Sequence, residues 1–323
     1  MFTLAHTRVE NKHGKLKRVG IASLVQVIAL GLVLFVLLPQ FNTFKESFTN
    51  LASVTLYWLI IIFALTALTY LTAAFTLKTF SIYPMAQRDS TMVQLAASFT
   101  NRLLPSGVGG IALNIQFLRT RGHKVAEATS VLLMQRTMDF VGFMAPLFFI
   151  IVLSQNELAN LVGFDINVTI ILAVILVVVA LIAILASIKK IRVRVVEFVT
   201  KMMKTLLKLA TNPIVLGKGF LSSTLMNLAF LSALFFSLRA VGLDISFVES
   251  TLVFAGAAAA SSVAPTPGGI GIVEAAMVTA LIALGYSGDT ALAGVLLYRL
   301  FTYWLPIPFG WLSYRYIINQ KLI

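Results

Sequence analysis

The 323-residue chain is 59% hydrophobic and 11% charged, with a mean hydropathy of +0.94, the balance of an integral membrane protein with no room for a sizeable soluble catalytic domain. Its net charge of +13 sits in loops beside apolar spans, where it sets topology and touches anionic lipid, so no nucleic-acid partner is expected. The lack of cysteine excludes disulfides, thiolate nucleophiles and cysteine metal sites, and His6, His13 and His123 have no ligand spacing, so neither a metal nor a cofactor is expected.

Residues 1–18 form a basic tail (Arg8, Lys12, Lys15, Lys17, Arg18) ahead of an apolar run over residues 19–38. That run is long enough to span and no small-residue cleavage site follows it, which predicts a retained first helix with a cytoplasmic N-terminus. A second span is predicted over residues 51–77. Residues 91–118, TMVQLAASFTNRLLPSGVGGIALNIQFL, are only moderately apolar and are interrupted by PSGVGG, Pro105 to Gly110. Each arm has about 10 to 14 residues, too few to cross about 30 Å at 1.5 Å per residue. With Arg88 before and Arg119, Arg121 and Lys124 after, the segment reads as a re-entrant hairpin entered and left from the cytoplasm.

A span over residues 125–153 carries Arg136 and Asp139, and an acidic loop leads to a span over residues 166–188. Lys189 to Lys208 is the densest basic run, with apolar residues near helical spacing. Residues 189–212 read either as an interfacial helix on anionic lipid or as a topology signal alone. A span over residues 213–238 follows, then a second broken hairpin over residues 248–284. The last span, residues 291–317, carries Arg299, is bent by Pro306 and Pro308, and ends inside with Arg315 and Lys321.

The break in the second hairpin is APTPGGIGIVE, Ala264 to Glu274. Pro265 and Pro267 cannot continue an incoming helix, and Gly268, Gly269 and Gly271 permit close backbone approach. In hydrocarbon such a break survives only where protein or a wet cavity satisfies the freed backbone groups. An unpaired Glu274 would cost on the order of 3 kcal/mol at mid-bilayer, so the carboxylate calls for a partner. Two short full spans are the rival to each hairpin and leave the same parity.

The order span, span, broken hairpin, span occurs twice. Residues 19–188 hold the first half and, in the span 166–188, the start of the second; residues 213–323 complete it. VLLMQRTMDF (Val131 to Phe140) resembles VLLYRLFTYW (Val295 to Trp304), placing Arg136 opposite Arg299. One half begins inside and the other outside. The expected fold is therefore an all-α integral membrane fold of six full transmembrane helices plus two re-entrant broken-helix hairpins arranged as an inverted repeat. That is a transporter pattern, with a substrate site where the breaks meet.

At this point the chain resembles the flippase-like transmembrane region of lysylphosphatidylglycerol synthases and their stand-alone relatives. The likeness runs from about Leu51 onward and rests on NRLLPSGVGG, the Arg136 helix, APTPGGIGIVE and the Arg299 helix. The resemblance implies movement of aminoacylated phospholipid between leaflets. The aminoacyl-transferase domain of the full-length synthases is not expected here, and stand-alone members also resemble regions associated with lipid-linked glycosylation.

The residues suit an anionic headgroup. Amides around Gly107, Gly109 and Gly110, and around Gly268, Gly269 and Gly271, would open half-helices whose dipoles attract phosphate. Arg102, Arg136 and Arg299 would pair with phosphate oxygens or with Asp139 and Glu274; Arg136 and Asp139, three residues apart, would equally satisfy each other. Asn101, Asn114 and Tyr298 would bond a headgroup or simply bond neighbouring helices. Ser106 and Thr266, beside Pro105, Pro265 and Pro267, read as caps, with no base placed to activate them and so no catalytic residue.

The expected function is a phospholipid flippase or lipid transporter moving an anionic or aminoacylated phospholipid by alternating access in the plasma membrane, both termini cytoplasmic. No phosphate-binding loop of the G-x-x-x-x-G-K type occurs, so a gradient or the lipid's own concentration would drive it. The alternatives are a membrane-embedded transferase on lipid-linked phosphate, or a scaffold that docks a lipid-modifying enzyme on the Lys189 to Lys208 face.

Overall fold

The computed structural model describes residues 54–103, 107–153, 212–263 and 266–323, and all regular structure among them is helical. The helices are α1 (Leu56–Phe80), α2 (Gln87–Leu103), α3 (Val108–Thr120), α4 (Val125–Leu153), α5 (Pro213–Ala240), α6 (Phe247–Val263), α7 (Ile272–Ala283), α8 (Gly288–Arg299) and α9 (Pro306–Asn319). The predicted tail, the spans over 19–38 and 166–188 and the basic segment 189–212 lie outside the described residues.

Among the described residues, three helices are long and apolar enough to cross a membrane: α1, α5, and the continuous run Gly288–Asn319 that joins α8 to α9. They match the spans expected from residue 51, residue 213 and residue 291. Helix α4, with 29 residues, is long enough by length but carries Glu127, Arg136 and Asp139.

In α1, Thr66, Thr69, Thr72 and Thr76 recur at three- and four-residue intervals and are buried. Most of their hydroxyls are satisfied locally: Thr69 donates to the Thr66 carbonyl (2.7 Å), Thr72 to Leu68 (2.8 Å) and Thr76 to Thr72 (3.0 Å). This lets a threonine stripe lie against α5, where Thr76 and Ser222 hydroxyls meet at 2.7 Å. Helix α5 begins with Pro213 at its first position and Asn212 as cap, the Asn212 side chain accepting from the Val215 amide.

Both expected breaks are present. In the first hairpin Asn101 faces Gly110 and Gln94 faces Asn114, pairs that step outward from the break as antiparallel arms require. A β-carbon at Gly109 would fall 2.6 Å from the Thr100 carbonyl oxygen, so the arms need glycine to approach this closely. Asp89 at the start of α2 and Arg121 after α3 close the open end at 2.8 Å. The arms have 17 and 13 residues, about 25 and 20 Å at 1.5 Å per residue, each short of a bilayer's hydrocarbon. The second hairpin has arms of 17 and 12 residues around a 3₁₀ turn at Pro267–Gly269.

The last span departs from a regular helix at Leu300–Trp304, a π-turn just before Pro306. Pro306 has no amide to give to the Thr302 carbonyl, and the chain widens there, the Leu305 amide reaching Leu300 at 2.7 Å.

Among the described residues, buried side chains form two apolar clusters. One takes Ile62 of α1, Leu234 and Leu238 of α5, Met277 and Leu281 of α7, and Leu297 of α8. The other takes Leu77 and Phe80 of α1, Phe117 and Leu118 of α3, Val131 of α4 and Ile317 of α9. The long helices run through both, and polar residues interrupt them between.

Candidate functional site

Between the two clusters lies a cavity of about 360 Å³, lined from α1 (Thr69, Tyr70, Ala73), α2 (Gln94, Ala97, Ser98, Asn101, Arg102), α3 (Asn114), α4 (Gln135, Arg136, Asp139), α5 (Met226, Phe230), and Gly268, Arg299, Thr302 and Tyr303. Thr69, Met226 and Tyr303 stand, to within a residue, at the midpoints of the three helices able to span a membrane. The site is therefore half-way along the bundle.

Its centre is built by the backbone breaks. Gly268 takes φ +62°, and a β-carbon there would lie 2.4 Å from the Tyr303 ring, so only glycine lets the turn rest on the aromatic face. The turn leaves the Gly268 carbonyl pointing at Arg299, which donates to it from Nη2 at 3.2 Å. The Arg299 Nε donates to Glu274 Oε1 at 2.6 Å, and the other Glu274 oxygen accepts from the Gly271 amide at 2.7 Å. Glu274, in the first turn of α7, thus caps its own helix and anchors a buried cation at once; the two side chains are 15% and 9% exposed.

Arg102 makes the matching contact from the first hairpin. Its Nη2 donates to the Thr302 carbonyl at 3.0 Å, the group that Pro306 leaves without a helical donor. Both guanidinium groups lie over Tyr303, Arg102 at 4.8 Å and Arg299 at 4.4 Å from the ring centre. The Nε of Arg102 is buried without a hydrogen-bond partner in the protein. A buried donor on a cation is a ready position for an anion.

On the opposite wall Asp139 accepts from Ser223 at 2.9 Å and lies 3.6 Å from Arg136. Of the charged side chains lining the cavity, three are arginine and one is aspartate, a balance of +2, or +1 once Glu274 behind Arg299 is counted. Arg136 is 68% exposed along its side chain and reaches the cavity only from its edge.

Of the residues singled out by sequence, the cavity gathers Asn101, Arg102, Asn114, Arg136, Asp139, Gly268 and Arg299. Gly107, Gly109, Gly110, Thr266, Gly269, Gly271, Glu274 and Tyr298 do not line it, Pro267 forms the 3₁₀ turn, and Ser106 and Pro265 fall outside the described residues. The amides expected to attract phosphate include several already engaged: Gly110 donates to Asn101 Oδ1, Gly269 to the Thr266 carbonyl, and Gly271 to Glu274. Thr266 stands at the N-cap of the 3₁₀ turn, but its side chain makes no capping bond; its hydroxyl donates across the break to the Ile270 carbonyl at 3.0 Å. Tyr298 is packed in the first apolar cluster, and the ring beside the arginines is Tyr303. That ring is one turn beyond Arg299, a spacing that places both on one helix face.

The matching of Arg136 to Arg299 also needs correction. Set residue against residue from Val131 and Val295, the two segments pair Arg299 with Gln135. Gln135 is the buried one, its Nε2 donating to the Ala73 carbonyl at 3.3 Å, while Arg136 turns outward. Asn101 and Asn114 hold the hairpin arms together as well as bordering the cavity: Asn114 donates to the Gly110 carbonyl and accepts from Gln94.

No curated protein matches the chain. A family model does, over residues 21–310, and its description is the lysylphosphatidylglycerol synthase TM region. This span takes in both broken hairpins, the helix of Arg136 and Asp139, all of α8 and the start of α9. By that match the chain is a membrane protein connected with lipid, and it belongs to the lysylphosphatidylglycerol synthase transmembrane-region family.

Proposed function

We propose that the protein moves an anionic phospholipid between the leaflets, with the lipid phosphate held at Arg102, Arg299 and Tyr303. The observation that carries this reading is the convergence of two guanidinium groups, Arg102 from the first hairpin and Arg299 from the last span against the turn of the second hairpin, on a polar cavity half-way along the spanning helices. A polar chamber at that depth is costly in a bilayer unless it serves something polar in transit. Arg102 is held by a backbone carbonyl and an aromatic face, contacts that leave its charge uncancelled. Of the two, only Arg299 has a carboxylate partner close by.

The two hairpins act as the inner parts of inverted halves that rock about the cavity, exposing it to one leaflet and then the other. Movement runs down the lipid's gradient or is coupled to an ion. In this reading the protein is a transporter rather than an enzyme, and the plasma membrane with cytoplasmic termini is its setting.

The test is movement of labelled phosphatidylglycerol in proteoliposomes, with diacylglycerol as the uncharged control. Wild type is expected to move the anionic lipid, and Arg102→Gln to slow it at least about tenfold, the effect of losing a hydrogen bond to a charged group. Equal rates for Arg102→Gln and wild type would remove the phosphate site. Absence of movement by wild type would redirect attention to lipid-linked transfer or to an enzyme docked on the membrane.

A further inference from the structure

A second cavity, about 230 Å³ and almost wholly apolar, lies between α1, α2 and the start of α9. It shares Tyr70 with the polar cavity, so the two are separated by one side chain. The π-turn serves both: Phe301 faces the apolar groove, while Thr302 and Tyr303 face the arginines. Phe63, Leu71 and Phe309 at the groove are half-exposed on the outer surface of the bundle, which for a membrane protein is the lipid-facing side.

One polar atom in the groove lacks an explanation within the fold. The Thr66 hydroxyl is buried and has no hydrogen-bond partner, although Thr69, Thr72 and Thr76 of the same stripe all donate to carbonyls of their own helix. Thr66 lies one turn before Tyr70, on the groove wall near the point where the apolar and polar cavities join. A buried donor left unmade costs about 1–3 kcal/mol, so an acceptor is expected to reach it.

Resting on the reading of the polar cavity as a phosphate site, we propose that the groove holds the ester-linked hydrocarbon tail of the same lipid. The phosphate sits at Arg102 and Arg299, the glycerol passes Tyr70, the Thr66 hydroxyl donates to an acyl ester carbonyl, and the tail runs out between Leu95 and Phe309 to the bilayer. The substrate class is thereby narrowed to acyl-ester phospholipids, in preference to ether lipids or free phosphorylated headgroups. The tail stays in hydrocarbon throughout while only the headgroup crosses the polar waist.

Phosphatidylglycerol carrying a photoreactive diazirine in one tail, reconstituted in vesicles with the full chain, tests this. Cross-links are expected on Leu95, Phe301 and Phe309, about tenfold above those on Phe148 and Phe149 of α4, which are exposed but lie off the groove. Unlabelled phosphatidylglycerol should compete and diacylglycerol should not. Thr66→Val, nearly the same shape, should lower labelling by the ester lipid about fivefold, as losing one hydrogen bond of about 1 kcal/mol would, and leave its ether-linked counterpart unchanged. Labelling spread evenly over all outer faces, or competed equally by diacylglycerol, means ordinary boundary lipid and overturns the proposal. Equal loss of ester and ether lipid labelling in Thr66→Val removes the ester contact and overturns that assignment. Lipid movement by wild type without groove labelling sinks this inference and spares the transport reading. Groove labelling that anionic lipid competes, without movement, does the reverse.

Discussion

Arg299 sets its guanidinium 4.4 Å from the centre of the Tyr303 ring, one helical turn away on the same strand of chain. Arg102, delivered by the first hairpin some 200 residues earlier in the chain, approaches that ring at 4.8 Å. The aromatic face lets two cations share one polar chamber without a carboxylate for each. Contacts of this type are worth about 0.5–2 kcal/mol, depending on desolvation.

The ring, more than the hydroxyl, should therefore matter. Tyr303→Phe is expected to keep near-normal stability in detergent and near-normal binding of anionic lipid. Tyr303→Leu should weaken lipid binding roughly tenfold, the sum of two modest cation–π contacts. Titration of each variant with phosphatidylglycerol in mixed micelles separates the two, and equal losses would show that the hydroxyl is the operative group.

Glu274→Gln keeps an acceptor for the Gly271 amide but leaves Arg299 as a buried cation with the Gly268 carbonyl and the Tyr303 ring and no carboxylate. Breaking such a pair from one side costs about 3–5 kcal/mol, so thermal unfolding should fall by many degrees. Glu274→Gln with Arg299→Met, which removes both charges, should recover part of the loss. Added phosphatidylglycerol should stabilise Glu274→Gln more than wild type, because the freed guanidinium can then take a phosphate. No difference in lipid stabilisation would place Arg299 out of the lipid's reach.

The first hairpin depends on glycine at two adjacent positions for different reasons. A β-carbon at Gly109 would press on the Thr100 backbone, whereas one at Gly110 would press on the Asn101 side chain, each at 2.6 Å. Gly109→Ala should cost about 1–3 kcal/mol and resist rescue, since backbone cannot step aside. Gly110→Ala should be partly restored by shortening Asn101 to Ser. Unfolding curves for Gly109→Ala and Gly110→Ala, each with and without Asn101→Ser, decide it; equal rescue at both positions would contradict this packing.

Pro306 keeps the Thr302 carbonyl open for Arg102. Pro306→Ala supplies an amide that competes for that carbonyl and removes the helix penalty of proline, about 3 kcal/mol in a regular interior. The variant should be as stable as wild type or more so, yet slower in lipid movement, because the π-turn closes and Arg102 loses its anchor. Stability and transport measured together test this; a gain in both would mean the widened turn has no part in transport.

Much of this protein was written in its residue pattern. Hydropathy marked the spans seen as α1, α5 and the α8–α9 run, and proline and glycine marked both breaks, because a chain in hydrocarbon can interrupt a helix only with residues that lack an amide or a β-carbon. The pairing of Glu274 with a nearby cation followed from the cost of a lone buried carboxylate. What the linear order left open was which groups meet across the bundle. Arg102 reaches Thr302 only because Pro306 frees that carbonyl, and Tyr303 rather than Tyr298 faces the cavity because the helix phase decides which aromatic is core. A single register step likewise put Gln135 inside and Arg136 outside. Side-chain direction on a helix turns by a quarter or more with each residue, so a motif fixes the neighbourhood of a site while packing alone selects its members.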